Sequence, residues 1–279
     1  MKFFRRKLSD LLKNTFLGGA TRSFIRLFLG ATIDKKGIAV DHKRKMTYNL
    51  NNDIGRTLFI NGSFESEETA FIVKMARKKN YSIIFDIGAN IGLYSVLLGR
   101  ALKNCTIHAF EPSRSTFRLL KENIAMNNLG GIVTLHPMAL SDKAGVQSFF
   151  ETTDDAYSSL KDTKRVPVSE VYDIDVNSLD NWSSQNKVSR VDFIKIDVEG
   201  FETLVISGAL NVLRHSKPDL FVEIYRGTNS NPEPEKTIAM VKELGYQAFV
   251  FKNNELVPYV MHDDRYYNYF FTFDNTLFN

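Results

Sequence analysis

Two sets of residues in this 279-residue chain have the types and spacing that chemistry needs. The first is a glycine-punctuated turn, Asp86-Ile87-Gly88-Ala89-Asn90-Ile91-Gly92, entered from the apolar run Ile83-Ile84-Phe85 and followed by Leu93-Tyr94-Ser95-Val96-Leu97-Leu98. Strand, glycine turn and helix is how an open α/β sheet presents backbone amides to a ligand. A dinucleotide loop requires G-x-G-x-x-G, and a phosphate loop requires G-x-x-x-x-G-K-[ST]. Here an acid closes the strand and the turn has no lysine, a form that suits a compact amino-acid nucleoside better than a pyrophosphate. About 20 residues further on, Cys105-Thr106-Ile107-His108-Ala109-Phe110 ends in Glu111-Pro112, where an acid can accept hydrogen bonds from both ribose hydroxyls. Such a charge-assisted contact is worth about 1.5–3 kcal/mol. Taken alone, Glu111 also fits a solvated strand end.

The second set is acidic. Asp197 and Glu199 follow the near-continuous apolar run Val191–Ile196, and Glu223 ends the run Leu220-Phe221-Val222. Runs of this kind form the buried centre of a parallel sheet, and functional groups collect at the carboxyl ends of its strands. Each acid has a plain structural alternative, since Asp197 can bond turn amides and Glu199 can cap the next helix. A cluster of acids can also hold a divalent cation, but nothing in the spacing demands one and no metal is expected. His108 and His136 fall in core strands and read as structural, whereas His262 lies in a late loop within possible reach of a site.

Four blocks together resemble the FkbM-type methyltransferases: Asp86 to Gly92, Phe110-Glu111-Pro112, Ala139-Leu140-Ser141-Asp142, and Ile194-Lys195-Ile196-Asp197-Val198-Glu199-Gly200-Phe201-Glu202. The resemblance spans about Ile83 to Phe251, with a looser match at Gly62-Ser63-Phe64-Glu65. It implies a Rossmann-like class I methyltransferase, an α/β three-layer sandwich around a seven-stranded, mostly parallel sheet. It implies S-adenosyl-L-methionine as cofactor and a hydroxyl oxygen as the usual acceptor, on a sugar, a glycolipid or polysaccharide precursor, or a secondary metabolite. The cofactor residues carried over are Asp86, Gly88, Ala89, Asn90 and Gly92 at the methionine end, Glu111 and Pro112 at the ribose, and Ala139 and Leu140 beside the adenine. Glu65 joins them from the segment that covers the cofactor; an acid answering the dipole of a helix start is the competing reading.

Methyl transfer from a sulfonium is an in-line displacement, so alignment at roughly 3–3.5 Å comes first and can supply about 7–11 kcal/mol. A base positioned for the acceptor's proton adds about 10²–10⁴-fold. In the implied topology Asp197 faces the transferred methyl and is the first candidate for that base, with Glu199 second and Glu223 third. Two rivals stay open: a nicotinamide-dependent oxidoreductase on a similar sheet, against which the missing third glycine counts, and a membrane-docked binding module without catalysis.

The elements that must position these residues are readable in outline. Residues 1–60 form a basic amphipathic extension and lead-in, and 61–279 the catalytic domain. Phe4, Leu8, Leu11, Leu12 and Phe16 recur at helical spacing among Arg5, Arg6, Lys7 and Lys13. Residues 1–45 hold twelve Lys/Arg against three Asp/Glu, leaving the rest near −5 in a chain of net charge +4. That asymmetry argues against a nucleic-acid groove in the body and makes residues 1–33 a contact surface, either for an anionic membrane or for the domain and a second copy. No run reaches the roughly 18 apolar residues of a membrane span. The single Cys105 excludes an internal disulfide, and a cytoplasmic location is expected. Asp34 to Phe59 read as short strands and turns, 65–79 as a helix capped by Ser63, and Val146–Phe150 as the start of a β insertion. The polar stretch Glu151–Ser169 reads as mobile except around Ser158-Ser159-Leu160, and it resembles the family's variable region, which implies a lid over the substrate.

Overall fold

The structure, a computed structural model, describes residues 31–34, 38–42, 45–226, 233–252 and 255–274. The basic amphipathic segment therefore lies outside the described residues for all but its last positions.

A lead-in sheet comes first, with β1 (Ala31–Ile33), β2 (Ile38–Asp41) and β3 (Met46–Asn49) antiparallel in that order. The next stretch, expected as strand and turn, is instead a helix, α1 (Asp53–Asn61). Asn52 caps it by accepting from the Gly55 amide at 2.8 Å. Its glycine is required by packing, because a Cβ on Gly55 would stand 1.9 Å from the Asn49 carbonyl oxygen. Helix α2 (Ser66–Lys79) starts at Glu65 rather than at Ser63. The lead-in shares the main core: Met46, Tyr48, Leu58 and Phe59 are buried in the same cluster as Ile72 and Ile84.

Strands and helices then alternate: β4 (Ile83–Ile87), α3 (Leu93–Ala101), β5 (Thr106–Phe110), α4 (Arg114–Met126) and β6 (Val133–His136). Three strands, β7 (Ala139–Ser141), β8 (Gly145–Thr152) and β9 (Val168–Ser178), form a separate sheet in the order β7-β9-β8, the expected insertion. The chain returns through α5 (Leu179–Gln185), β10 (Phe193–Ile196), α6 (Glu202–Ser207), α7 (Leu210–Ser216), β11 (Asp219–Glu223) and α8 (Pro234–Glu243). It closes with β12 (Gln247–Lys252), β13 (Glu255–Pro258) and β14 (Asn268–Thr272).

The central sheet has the order β13-β12-β14-β11-β10-β4-β5-β6. Pairing from β11 to β6 is parallel throughout, and β14 inserts antiparallel between β11 and β12. The sheet carries eight strands rather than seven because β13 folds back on β12 as a hairpin. Register positions the chemistry. Ile196 pairs with both Ile87 and Val222, so Gly88, Asp197 and Glu223 each stand one residue past the same level. Glu223 in turn pairs with Asn268. Among the described residues no helix is long and apolar enough to cross a membrane.

Candidate active site

A cavity of about 560 Å³ opens over the carboxyl ends of β4, β5, β10 and β11. Its walls include Gly88, Asn90, Glu111, Pro112, Ala139 and Leu140 on one side, and Glu65, Asp197, Glu199 and Glu223 on the other. Ten of the thirteen residues proposed from sequence thus meet in one space. Asp86, Ala89 and Gly92 do not line it.

These three support the wall from behind. Asp86 is 1% exposed, and its Oδ2 accepts from the Ser95 hydroxyl at 2.6 Å and the Ser95 amide at 3.1 Å, which ties the strand to α3. Ala89 packs in the core, and Gly92 turns the chain into α3 at φ +84°. The glycine turn also differs from its expected use, for its amides are not offered to a ligand. Gly88 and Ala89 donate to the Phe110 carbonyl, Asn90 to Glu111 Oε2 at 2.8 Å, Ile91 to its neighbour's side chain and Gly92 to Ala89. Gly88 is needed for a different reason. At φ +71°, a Cβ there would lie 1.8 Å from the Asp197 carbonyl oxygen, so the close approach that it permits is between β4 and β10.

Glu111 is 6% exposed and held on both sides, one oxygen by the Asn90 amide and the other by the Ser113 amide at 2.9 Å. This fixes a carboxylate at the cavity edge. A cavity edged by carboxylates, beside a turn whose amides are internally satisfied, fits a ligand that is cationic and hydroxylated. It fits a pyrophosphate poorly.

Lys195 reads in the sequence as part of an apolar strand. It is 4% exposed, and its Nζ donates to the Gly88 carbonyl at 2.7 Å, pairs with Asp197 at 3.0 Å and approaches Asp86 Oδ1 at 3.9 Å. Burial alone would lower this ammonium, but Asp197 and Asp86 outweigh it and hold its pKa above the ordinary value. A lysine in a strand otherwise buried on both faces is itself a signal, because a buried charge must be paired.

The opposite wall is crowded with acids. One oxygen each from Asp197, Glu199 and Glu223 lies within 4.8 Å of the others. Burial, reinforced by Asp197, raises Glu223 well above the ordinary carboxylate range and pushes Glu199 up to about 8 against the pull of Arg165. Burial brings Glu202, which accepts from the Gly200 amide at 3.0 Å, up to about 7. Like charges this close cannot all ionise, so some of these groups remain protonated donors near neutral pH. Glu65 caps its helix through its backbone carbonyl and not through its side chain. Its carboxylate accepts from the Tyr94 hydroxyl at 2.8 Å and the Asn268 amide at 3.1 Å, and burial raises its pKa.

Three non-glycine residues lining the cavity, Glu65, Asn90 and Glu199, have φ between +46° and +51°. The same conformation recurs among the described residues at six non-glycine positions away from the cavity, so it marks turns and helix ends as well as this site. The stretch Glu151–Ser169 runs from the end of β8 through a single 3-10 turn at Asp155–Tyr157 to the start of β9. Tyr157, Ser158, Ser159, Leu160 and Arg165 of this connection line the cavity. Arg165 pairs with Glu199 at 2.6 Å and lies over the Tyr157 ring at 4.1 Å and the Tyr225 ring at 5.3 Å. His108 and His136, both half-buried, stack on each other and meet Trp182 edge-on, and His262 is held by Tyr269 and Asp264 outside the lining.

A family profile described as the methyltransferase FkbM domain matches residues 86–248, more than half of the chain. The hexuronic acid methyltransferase AglP of Haloferax volcanii is 26% identical over 179 residues, covering 64% of this chain and 69% of that protein. The 31-O-demethyl-FK506 methyltransferase FkbM of Streptomyces tacrolimicus is 26% identical over 159 residues, covering 45% and 58%. The chain spans less than two thirds of the length of two of the curated relatives that it matches, 58% in each. Among solved structures, the methyltransferase FkbM of Methylobacillus flagellatus aligns with a TM-score of 0.47 at 17% identity, covering 69% of this chain and 44% of that one.

Proposed function

The chain belongs to the FkbM methyltransferase family, whose cofactor is S-adenosylmethionine, and on that footing we propose that it methylates a hydroxyl oxygen of a sugar, of a glycolipid or polysaccharide precursor, or of a secondary metabolite. What carries this reading is one cavity with Glu111 fixed at one end and the Asp197, Glu199 and Glu223 carboxyls at the other. The acceptor class is further supported by relatives whose names specify a hexuronic acid and a 31-O-demethyl compound.

Glu111 would hold the ribose hydroxyls, Ala139 and Leu140 would flank the adenine, and Glu65 would meet the cationic methionine end. Asp86, Ala89 and Gly92 would support that end through the turn. The bound cofactor supplies an electrophilic methyl on a good leaving group. The chain's own residues handle the acceptor. Asp197, salt-bridged to Lys195, would take the hydroxyl proton, and a protonated Glu223 would donate to a neighbouring acceptor oxygen. The connection between β8 and β9 narrows the opening and limits water, which strengthens each of these contacts.

Mass spectrometry of glycans, lipids and metabolites from cells expressing the wild type or Asp197→Asn tests the reading. The expected outcome is a compound heavier by one methylene with the wild type, formed about 10²–10⁴-fold more slowly by the variant. A variant as active as the wild type contradicts the role of Asp197. Stabilisation by NAD but not by S-adenosylhomocysteine in a thermal-shift comparison contradicts the cofactor reading.

A further inference from the structure

Residues 153–167, the connection between β8 and β9, are fastened to two walls of the cavity at once. On the α1 side, Asp154 accepts from the Asp53 amide at 3.1 Å, and the Tyr157 hydroxyl donates to Asp53 at 2.9 Å. On the β10 side, the Ser159 hydroxyl donates to the Glu199 carbonyl at 2.8 Å and Arg165 pairs with the Glu199 carboxylate. The first fastening holds the near end of the connection to the lead-in helix. The second reaches across the opening to a candidate acid whose own backbone is held at φ +48°.

We propose that Arg165 is a positioning residue of the acceptor end: through its pairing with Glu199 and its stacking between Tyr157 and Tyr225, it draws the connection over the carboxylates and fixes Glu199 among them. The inference rests on the reading of these carboxylates as the acceptor end. Its physical basis is the guanidinium itself. A planar, permanently charged fork can stack on two aromatic faces while bonding a carboxylate, which a lysine cannot do as well. The pair is mostly buried, with side chains 20% and 14% exposed, so solvent screens it little.

Charge in the neighbourhood gives Arg165 a second effect. Glu199 is faced by Asp197 and Lys195 from β10 and its turn, Glu202 from α6, and Glu223 and Tyr225 from the end of β11. Glu65 faces it from the start of α2, and Tyr157 and Arg165 from the connection; Asp53, Asp264 and Arg265 line the same cavity. Burial, Asp197 and Glu202 raise its pKa, and Arg165 lowers it. Loss of Arg165 should therefore both loosen the connection and make Glu199 harder to ionise.

Two measurements on the full chain decide the matter without any acceptor. Hydrogen exchange of the 153–167 amides should accelerate about tenfold in Arg165→Gln, the effect of losing one part-buried charge-assisted contact and its stacking. In protein labelled with carboxyl-¹³C glutamate, the Glu199 resonance, assigned through Glu199→Gln, should titrate at higher pH in Arg165→Gln than in the wild type. It should move back towards the wild-type value in Arg165→Lys, which a purely structural role of the side chain would not produce. Glu199→Gln removes the same pair from the other side, so it should loosen the same amides and covers the case of an unfolded Arg165 variant. Unchanged exchange in both variants, or a Glu199 titration indifferent to Arg165, overturns the proposal. Calorimetry of S-adenosylhomocysteine with the wild type separately tests the cofactor reading, so failure of one is distinguishable from failure of the other.

Discussion

The two walls of the cavity are built by different means. The wall formed by the glycine turn is a matter of backbone: amides bonded internally, one glycine pressed against a carbonyl, and Glu111 locked by two amides from its own vicinity. The facing wall is a matter of side chains drawn from distant parts of the chain: Asn268 bonds Glu65, Arg165 pairs with Glu199, Lys195 pairs with Asp197, and the end of β11 brings Glu223 beside them. The first wall can hardly change without unfolding the sheet. The second is a set of coupled charges whose protonation follows pH. A constant ligand on the first side, met by Glu65 from across the cavity, and a variable one at the remaining acids is the division of labour that this contrast suggests.

The largest test of that contrast is Gly88→Val. Its side chain would collide with the Asp197 carbonyl where the walls join, at a backbone angle that valine rarely adopts. A loss of at least about 5 kcal/mol, seen as an unfolded chain in circular dichroism, is expected; a stably folded variant would show that the strands can part there. Lys195→Met comes next. It strands Asp86 and Asp197 without their cation and should cost about 3–5 kcal/mol in denaturant unfolding. A neutral result would mean that the acids simply protonate.

Glu202→Gln probes the pH sensitivity of the side-chain wall. With its pKa raised from 4.5 to about 7, Glu202 holds an extra proton in the folded state. That group's favourable contribution is complete at low pH and is lost as pH rises through the folded value. Wild-type stability should therefore fall between about pH 5 and 7, by up to about 1.4 kcal/mol per pH unit from one such group. The variant should show a shallower decline in thermal unfolding midpoints, and an identical slope would remove Glu202 from the account. The smallest effect is expected from Glu111→Gln, which should weaken S-adenosylhomocysteine by about 10–100-fold in calorimetry while leaving the fold intact. Equal affinity would detach the backbone wall from the cofactor.

The same contrast governs what could be read before the structure. The alternation of apolar strands and helices gave the α/β sheet, and the local string from Asp86 to Gly92 with Glu111 marked one wall, because those residues act near one another in sequence. The insertion was visible in the alternation at Val146–Phe150. Helix α1 was missed because Thr57, Ile60 and the interior Gly55 disfavour a helix, and only the Asn52 cap and tertiary packing secure it. The place of Asp86 in the turn points to the cofactor, and its bonds to Ser95, on the next helix, are not legible from that string alone. Arg165 had no local signal at all. It pairs across 34 positions with a residue of another element, and a polar stretch rich in Ser, Asp and Lys reads as solvated whether or not it covers a site.

One buried ammonium touches both walls, bonding the carbonyl of the glycine turn and the carboxylate opposite. Lys195 thereby acts as a ruler. The separation between the place where a donor would rest and the place where an acceptor would be deprotonated is set by a side chain that neither ligand displaces. The acceptor rim can then be remodelled, residue by residue, while the reach of the reaction stays the same.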